Sequence, residues 1–454
     1  MQTKLQGRLK DMKLAIQQFG VSRLIVFCFF ILLLCLTSAQ DFPSTITNIL
    51  TRVGMHGVLV LCMVPSIRAG LGPNFAVPFG VLAGLLGALI PIELNMSGLP
   101  AFALAVGLAI LFSIPFGLLF GYLMNRVRGS EMMIATYFGY AMVYILCIAW
   151  LLLPFKNNAI TMSMGAGLRN TINLAPYFGG ILSDFLAVNV KFQAGQTLFL
   201  PVWAWVIWAV TGIVSYFFLI REVFPDFEQM DAAEIERLKR ASAKRRTLGI
   251  VLVAVMSVLM LLVTFGGAAV KPVHDALGVR LTFKANTSLS VPTGMLLFLA
   301  AACLLMWLFN RSRTGIAMHA AGTNPSFARA CGVNINRQRM LGSVLTIMLA
   351  AVGILVYAQG YGFLQLYSAP LNMCFPPVAA ILIGGASISD AKISHVLIGV
   401  LLFQGILTMG PSIASRYLAG LSADVDPTEI VRIIITNGII LYALTKVRRV
   451  SSEH

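Results

Sequence analysis

Apolar runs approaching or reaching 20 residues recur along this 454-residue chain, and they limit its fold more than any other feature. The hydrocarbon core of a bilayer is about 30 Å thick and takes about 20 helical residues to cross. Inside it, every backbone N–H and C=O must bond within the protein, so such runs become helices. They lie at 24–40, 54–70, 73–93, 101–124, 132–154, 197–220, 248–267, 293–309, 341–358, 374–387, 394–411 and 429–446. The run 374–387 is short for a span and reads as re-entrant. Only 11% of residues are charged, against about 25% in a soluble domain. Soluble enzymes, disordered chains and disulfide scaffolds are excluded. The expected fold is an all-α, polytopic transmembrane bundle of about 10–12 spans, with both termini cytoplasmic.

The net charge of +16 could suggest nucleic acid, but the basic residues sit in loops on one side. With the N-terminus inside, 24 of the 33 Lys and Arg fall in cytoplasmic segments and eight outside (Arg52, Lys156, Arg169, Lys191, Lys271, Arg280, Lys284, Arg416). Arg432 lies within the last run. The positive-inside rule explains that split, with lipid headgroups as partners and no nucleic acid. The first run ends in Thr37-Ser38-Ala39 and resembles a signal peptide. An uncleaved span is favoured, because the later charge bias depends on it. The chain divides into an N-terminal half (1–220), a charged cytoplasmic helix (221–247, capped at Asp231) and a C-terminal half (248–454). Gly80, Gly84 and Gly87, and separately Gly117 and Gly121, form small-residue faces that read as helix-packing surfaces.

Sites of chemistry are scarce. Glu93, Glu131, Arg68 and Arg432 fall near span ends, and His56 near an outer end. No metal-ligand cluster, nucleophile–base pair or phosphate loop is present in the sequence. Catalytic, metal-binding and cofactor-binding residues are therefore expected to be absent. An ion-driven carrier would lack its coupling residues. Energy would have to come from another subunit.

Residues 310–340 form the most informative loop. Asn324 suits an N-cap, Pro325 the first helical position and Gly332 the left-handed residue beyond the end. The spacing predicts a helix over Pro325–Cys331, about 10 Å long. Two turns do not persist alone, so it needs a surface to dock on. Ala328 is small enough to admit a close partner, and Arg329 can reach a carboxylate.

Arg313-Thr314-Gly315, Ala320-Ala321-Gly322-Thr323-Asn324-Pro325, Ala328-Arg329 and Gly332-Val333-Asn334-Ile335 together resemble a known signature. It is the coupling loop of permease subunits of bacterial ABC importers of the ribose/galactose type, in the branched-chain amino acid/simple sugar superfamily. Val378 to Ser387, ending Gly384-Gly385-Ala386-Ser387, resembles that family's stretch ending G-G-T-S. The likeness implies an inner-membrane permease subunit without covalent chemistry. Its partners would be two ATPase subunits that bind the ATP, a second permease subunit and an extracytoplasmic substrate-binding protein. It places Gly315, Ala321, Gly322, Asn324, Pro325, Ala328, Arg329 and Gly332 at the ATPase contact.

Three features depart from the family pattern. Its G-G-x-D-L-S-x-G is replaced by Ala69-Gly70-Leu71-Gly72-Pro73-Asn74-Phe75, and Ile316 follows Thr-Gly in place of Arg. Residues 221–292 are additional. The cargo is expected to be neutral and polar, since no buried charge would compensate a charged one. Candidate path residues are Asn74, Phe75, Asn372, Phe375, Gln404 and Thr408. The Gly384–Ser387 stretch makes a simple sugar the expected cargo, with a nucleoside, favoured by Asn74, as the alternative. An ion-coupled secondary carrier is the other class.

Overall fold

The computed structural model describes residues 21–37, 42–127, 131–162, 167–192, 197–200, 279–282, 287–387, 389–418 and 430–438, together with 211, 247, 251, 253–258 and 441. Of the larger pieces read from sequence, the 221–247 helix and most of the 197–220 and 248–267 runs lie outside these residues. Two compact units emerge. The smaller takes in Lys191–Thr287, and the larger joins Ile25–Val190 to Ser288–His454.

Along the chain the elements run α1 (Val21–Leu36), α2 (Phe42–Leu61), α3 (Met63–Arg68), α4 (Val77–Glu93), α5 (Gly98–Arg126), α6 (Glu131–Leu152), β1 (Thr171–Asn173) and α7 (Ile181–Asp184). After β2 (Val188–Phe192), β3 (Thr197–Leu200), β4 (Val279–Thr282) and β5 (Thr287–Val291) come α8 (Thr293–Arg311), α9 (Arg313–Thr323) and α10 (Pro325–Ala330). The chain continues through α11 (Ile335–Tyr361), β6 (Phe363–Gln365), α12 (Ser368–Asn372), α13 (Phe375–Gly384) and α14 (Ile393–Leu418). Among the described residues, six helical segments are long and apolar enough to cross a membrane, including Phe42–Arg68, Gly98–Arg126 and Ile335–Tyr361. The protein is a polytopic helical membrane protein.

α11 is the central post. Its 27 residues rise about 40 Å, more than the hydrocarbon thickness. The glycine faces of α4 and α5 close on it. A Cβ at Gly80 would lie 2.6 Å from Ile347 O, one at Gly84 2.5 Å from Ala351 O, and one at Gly117 2.6 Å from the Val344 Cα. The small residues thus let backbones meet, which is what holds helices together in lipid.

Contacts sort the helix ends into two sets. At one end Arg339 Nη2 donates to Met124 O (3.0 Å) and to Glu131 Oε1 (2.8 Å), and Asn125 Nδ2 donates to Asn336 O. At the other, the Glu93 carboxylate accepts from the backbone N–H of Lys156 and Asn157. There β1 also pairs antiparallel with β6, Ile172 opposite Leu364. The positive-inside bias makes the first end cytoplasmic.

The structure departs from the sequence expectations at three places. The second span begins at Phe42, not residue 54. His56 is therefore well inside a helix, its ring 5.1 Å from that of Tyr357, and Arg52 is helical rather than in a loop. Residues 197–200 do not open a span. Thr197-Leu198-Phe199-Leu200 is a β-rich run ended by Pro201, and it pairs antiparallel with Val279–Thr282 in the smaller unit. A chain read as all-α thus carries short β-pairs.

Candidate functional site

Two interruptions face each other within the bundle. α3 stops at Arg68, because Gly70 and Gly72 adopt φ of +73° and Pro73 follows. α4 restarts with Asn74 Oδ1 accepting from Ala76 N–H (2.8 Å) and with Pro78 in its first turn. The second break separates α12 from α13. α13 has only ten residues, about 15 Å, half the hydrocarbon thickness. The 374–387 run is thus a half-length helix of 375–384 led by a shorter one.

The breaks meet through side chains. The Phe75 and Phe375 rings stand 5.7 Å apart, and Tyr140 of α6 lies 6.5 Å from Phe375. Cys374 Sγ donates to Phe75 O (3.2 Å). Asn74 is 3% exposed, yet its Nδ2 has no partner among the described residues. Irregular backbone at membrane depth is tolerated where it is enclosed by protein or lines a cavity. The groups gathered here are amide, aromatic and thiol, and none carries a formal charge.

Of the six residues singled out in the sequence for the path, Asn74, Phe75 and Phe375 are brought together. Asn372 is exposed at the end of α12. Gln404 is buried on α14, and Thr408 Oγ1 donates to Gln404 O. Tyr140 and Cys374 were not legible, because each sits in an unbroken apolar run.

The cytoplasmic loop folds as two short helices. Ser312 Oγ accepts from Gly315 N–H to start α9. Asn324 ends α9 and caps α10, its Oδ1 accepting from Phe327 N–H (3.0 Å). α10 covers Pro325–Ala330 with Cys331 as its cap, one residue shorter than expected, and Gly332 takes φ +79°. Ala328 does not face outward. It packs with Ala321 and Ile335 and is 1% exposed, since two turns without tertiary support would unravel. The outward residues are Phe327, 62% exposed, and Arg329. Beside them Arg329, Gly332, Val333, Asn334, Ile335 and Asn336 line an open hollow of about 430 Å³. Phe327 had a sequence signal, as a large aromatic among the polar residues of a loop.

Gly315, Ala321 and Gly322 lie on α9 facing the protein. Gly315 leaves no room for a Cβ against Phe309 O, nor Gly322 against Arg68 O. His319, also on α9, has its imidazole pushed below its ordinary value by burial and then by the Arg68 cation.

Residues 45–443 match the sequence family described as the branched-chain amino acid transport system / permease component. The chain belongs to this permease family. The permease is 29% identical over 164 residues to the nucleoside ABC transporter permease protein NupB of Lactococcus lactis, covering 36% of this chain and 40% of that protein. It is 32% identical over 123 residues to the probable ABC transporter permease protein YphD of Escherichia coli, covering 27% and 36%. Over 82 residues it is 37% identical to the autoinducer 2 import system permease protein LsrC of Klebsiella pneumoniae, covering 18% and 24%. The permease thus spans at most 40% of the length of these three relatives. No solved structure matches. Family and apolar helices together make the permease a multi-pass inner-membrane protein.

Proposed function

We propose that this permease forms the translocation path of an ATP-driven importer, and that its cargo is a neutral, polar, ring-bearing solute of the nucleoside kind. One observation carries the reading: the buried, unpartnered Asn74 amide beside the Phe75–Phe375–Tyr140 ring cluster, where two broken helices meet. An amide donor suits a base or sugar edge, and aromatic faces suit a flat ring. The relatives named as nucleoside permeases support nucleoside over the simple sugar. The lack of charge at the cluster argues against an ionised cargo, whose burial would need compensation.

In this reading two separate ATPase subunits bind and hydrolyse ATP, docking on Phe327 and Arg329 of α10. A second permease subunit completes the path, and a binding protein delivers cargo from outside. Transport proceeds by alternating access around the broken helices. The test is uptake of labelled uridine and labelled ribose by the reconstituted complex. Uridine uptake that falls at least tenfold in Asn74→Leu supports the reading. Uptake of ribose alone, or of a charged amino acid, overturns it.

A further inference from the structure

The family resemblance places Gly322 at the ATPase contact, yet it faces the other way. A Cβ on Gly322 would collide with Arg68 O and lie 2.7 Å from Gly70 N. A Cβ on Gly70 would lie 2.9 Å from the Gly322 Cα, and Gly70 also needs its φ of +73°. Two backbones therefore touch with nothing between them. On the other side, a Cβ on Gly342 of α11 would run into the Ala69 side chain and reach 3.2 Å from Pro65 O. The turn after α3 is thus held between α9 and α11, the helices on either side of α10.

The turn itself is stiff. Gly70 N–H donates to Ile67 O (3.1 Å), Leu71 N–H to Ser66 O (3.0 Å), and Ser66 Oγ to Gly72 O (3.1 Å). Asn74 follows Gly70 by four residues, about 14 Å of chain at most. In the opposite direction, Gly322 precedes by two residues the Asn324 that caps α10.

We propose that the Gly322–Gly70 contact is the joint through which α10 positions the Asn74–Phe75 break, and that both glycines are positioning residues for transport. The inference rests on the importer reading above. Movement of α10 cannot leave the turn behind, because α9 has no side chain there to deform. Packed backbones shift as units rather than yielding continuously. A methyl group at Gly322 would displace the turn from α9 and leave the outward face of α10 unchanged.

The test uses the whole complex in proteoliposomes and compares wild type with Gly322→Ala and an exposed neighbour, Thr323→Ala. The readout is solute taken up per ATP hydrolysed, with whichever solute the wild type carries, so the choice of cargo is tested separately. Gly322→Ala should retain the ATPase on purification and still hydrolyse ATP, with uptake per ATP down at least tenfold. Thr323→Ala should match wild type. An unchanged ratio in a well-accumulated Gly322→Ala overturns the proposal. If that variant fails to accumulate, amide hydrogen exchange in the wild-type complex decides. Binding of a non-hydrolysable ATP analogue should change protection at both α10 and Gly70–Gly72. A change at α10 with none at the turn overturns the joint.

Discussion

Residue identity decides which way the short helix α10 faces. Sequence spacing made Ala328 the docking residue, yet it is buried against Ala321 and Ile335 while Phe327 is exposed. The two positions should therefore respond differently to substitution. Ala328→Trp has no space to occupy and should loosen α10 from the protein by about 1–3 kcal/mol, read as a lower unfolding temperature of the purified permease. Phe327→Ala should leave that temperature unchanged. If the ATPase docks there as proposed, it should weaken ATPase co-purification by about 2 kcal/mol or more, as loss of a central aromatic anchor does. Equal unfolding temperatures for wild type and Ala328→Trp would contradict the packing described here.

At the scale of elements, glycines and one ion pair join the helices. α4 and α5 approach α11 through Gly80, Gly84 and Gly117, where the neighbouring backbone leaves no room for a side chain. Gly84→Leu should separate α4 from α11. The expected outcome is a membrane-inserted but detergent-labile protein, seen as early aggregation on size-exclusion chromatography. The Arg339–Glu131 pair at 2.8 Å ties the start of α11 to α6, and Arg339 is 7% exposed. Removing one partner strands a buried charge, so Glu131→Ala should cost about 3 kcal/mol. Glu131→Gln keeps an acceptor for the guanidinium and should cost less. Thermal unfolding of the two variants checks that order.

For the whole molecule, the testable consequence is sidedness. Cys331 is exposed beside α10 on the face called cytoplasmic. A membrane-impermeant maleimide should label it in inside-out vesicles and not in intact spheroplasts. A Cys331→Ser control identifies the site, and labelling from outside would invert the orientation.

Much of this protein was legible in its sequence. Run length determined the membrane class, since it follows from what lipid excludes, and charge asymmetry supplied the expected sidedness. Asn324, Pro325 and Gly332 announced α10, because caps depend on adjacent residues alone. The break at Gly70–Pro73 was equally local. The tertiary structure decided what depends on distant partners. Cys374 came to bond to Phe75 O across 299 positions. Gly322 came to rest on Gly70 and Ala328 to turn inward, and residues 197–200 became a strand against 279–282. The physical reason is that periodicity records which residues avoid water or lipid, while the partner that fills the space beside a glycine, an amide or a ring is supplied only when separate helices pack.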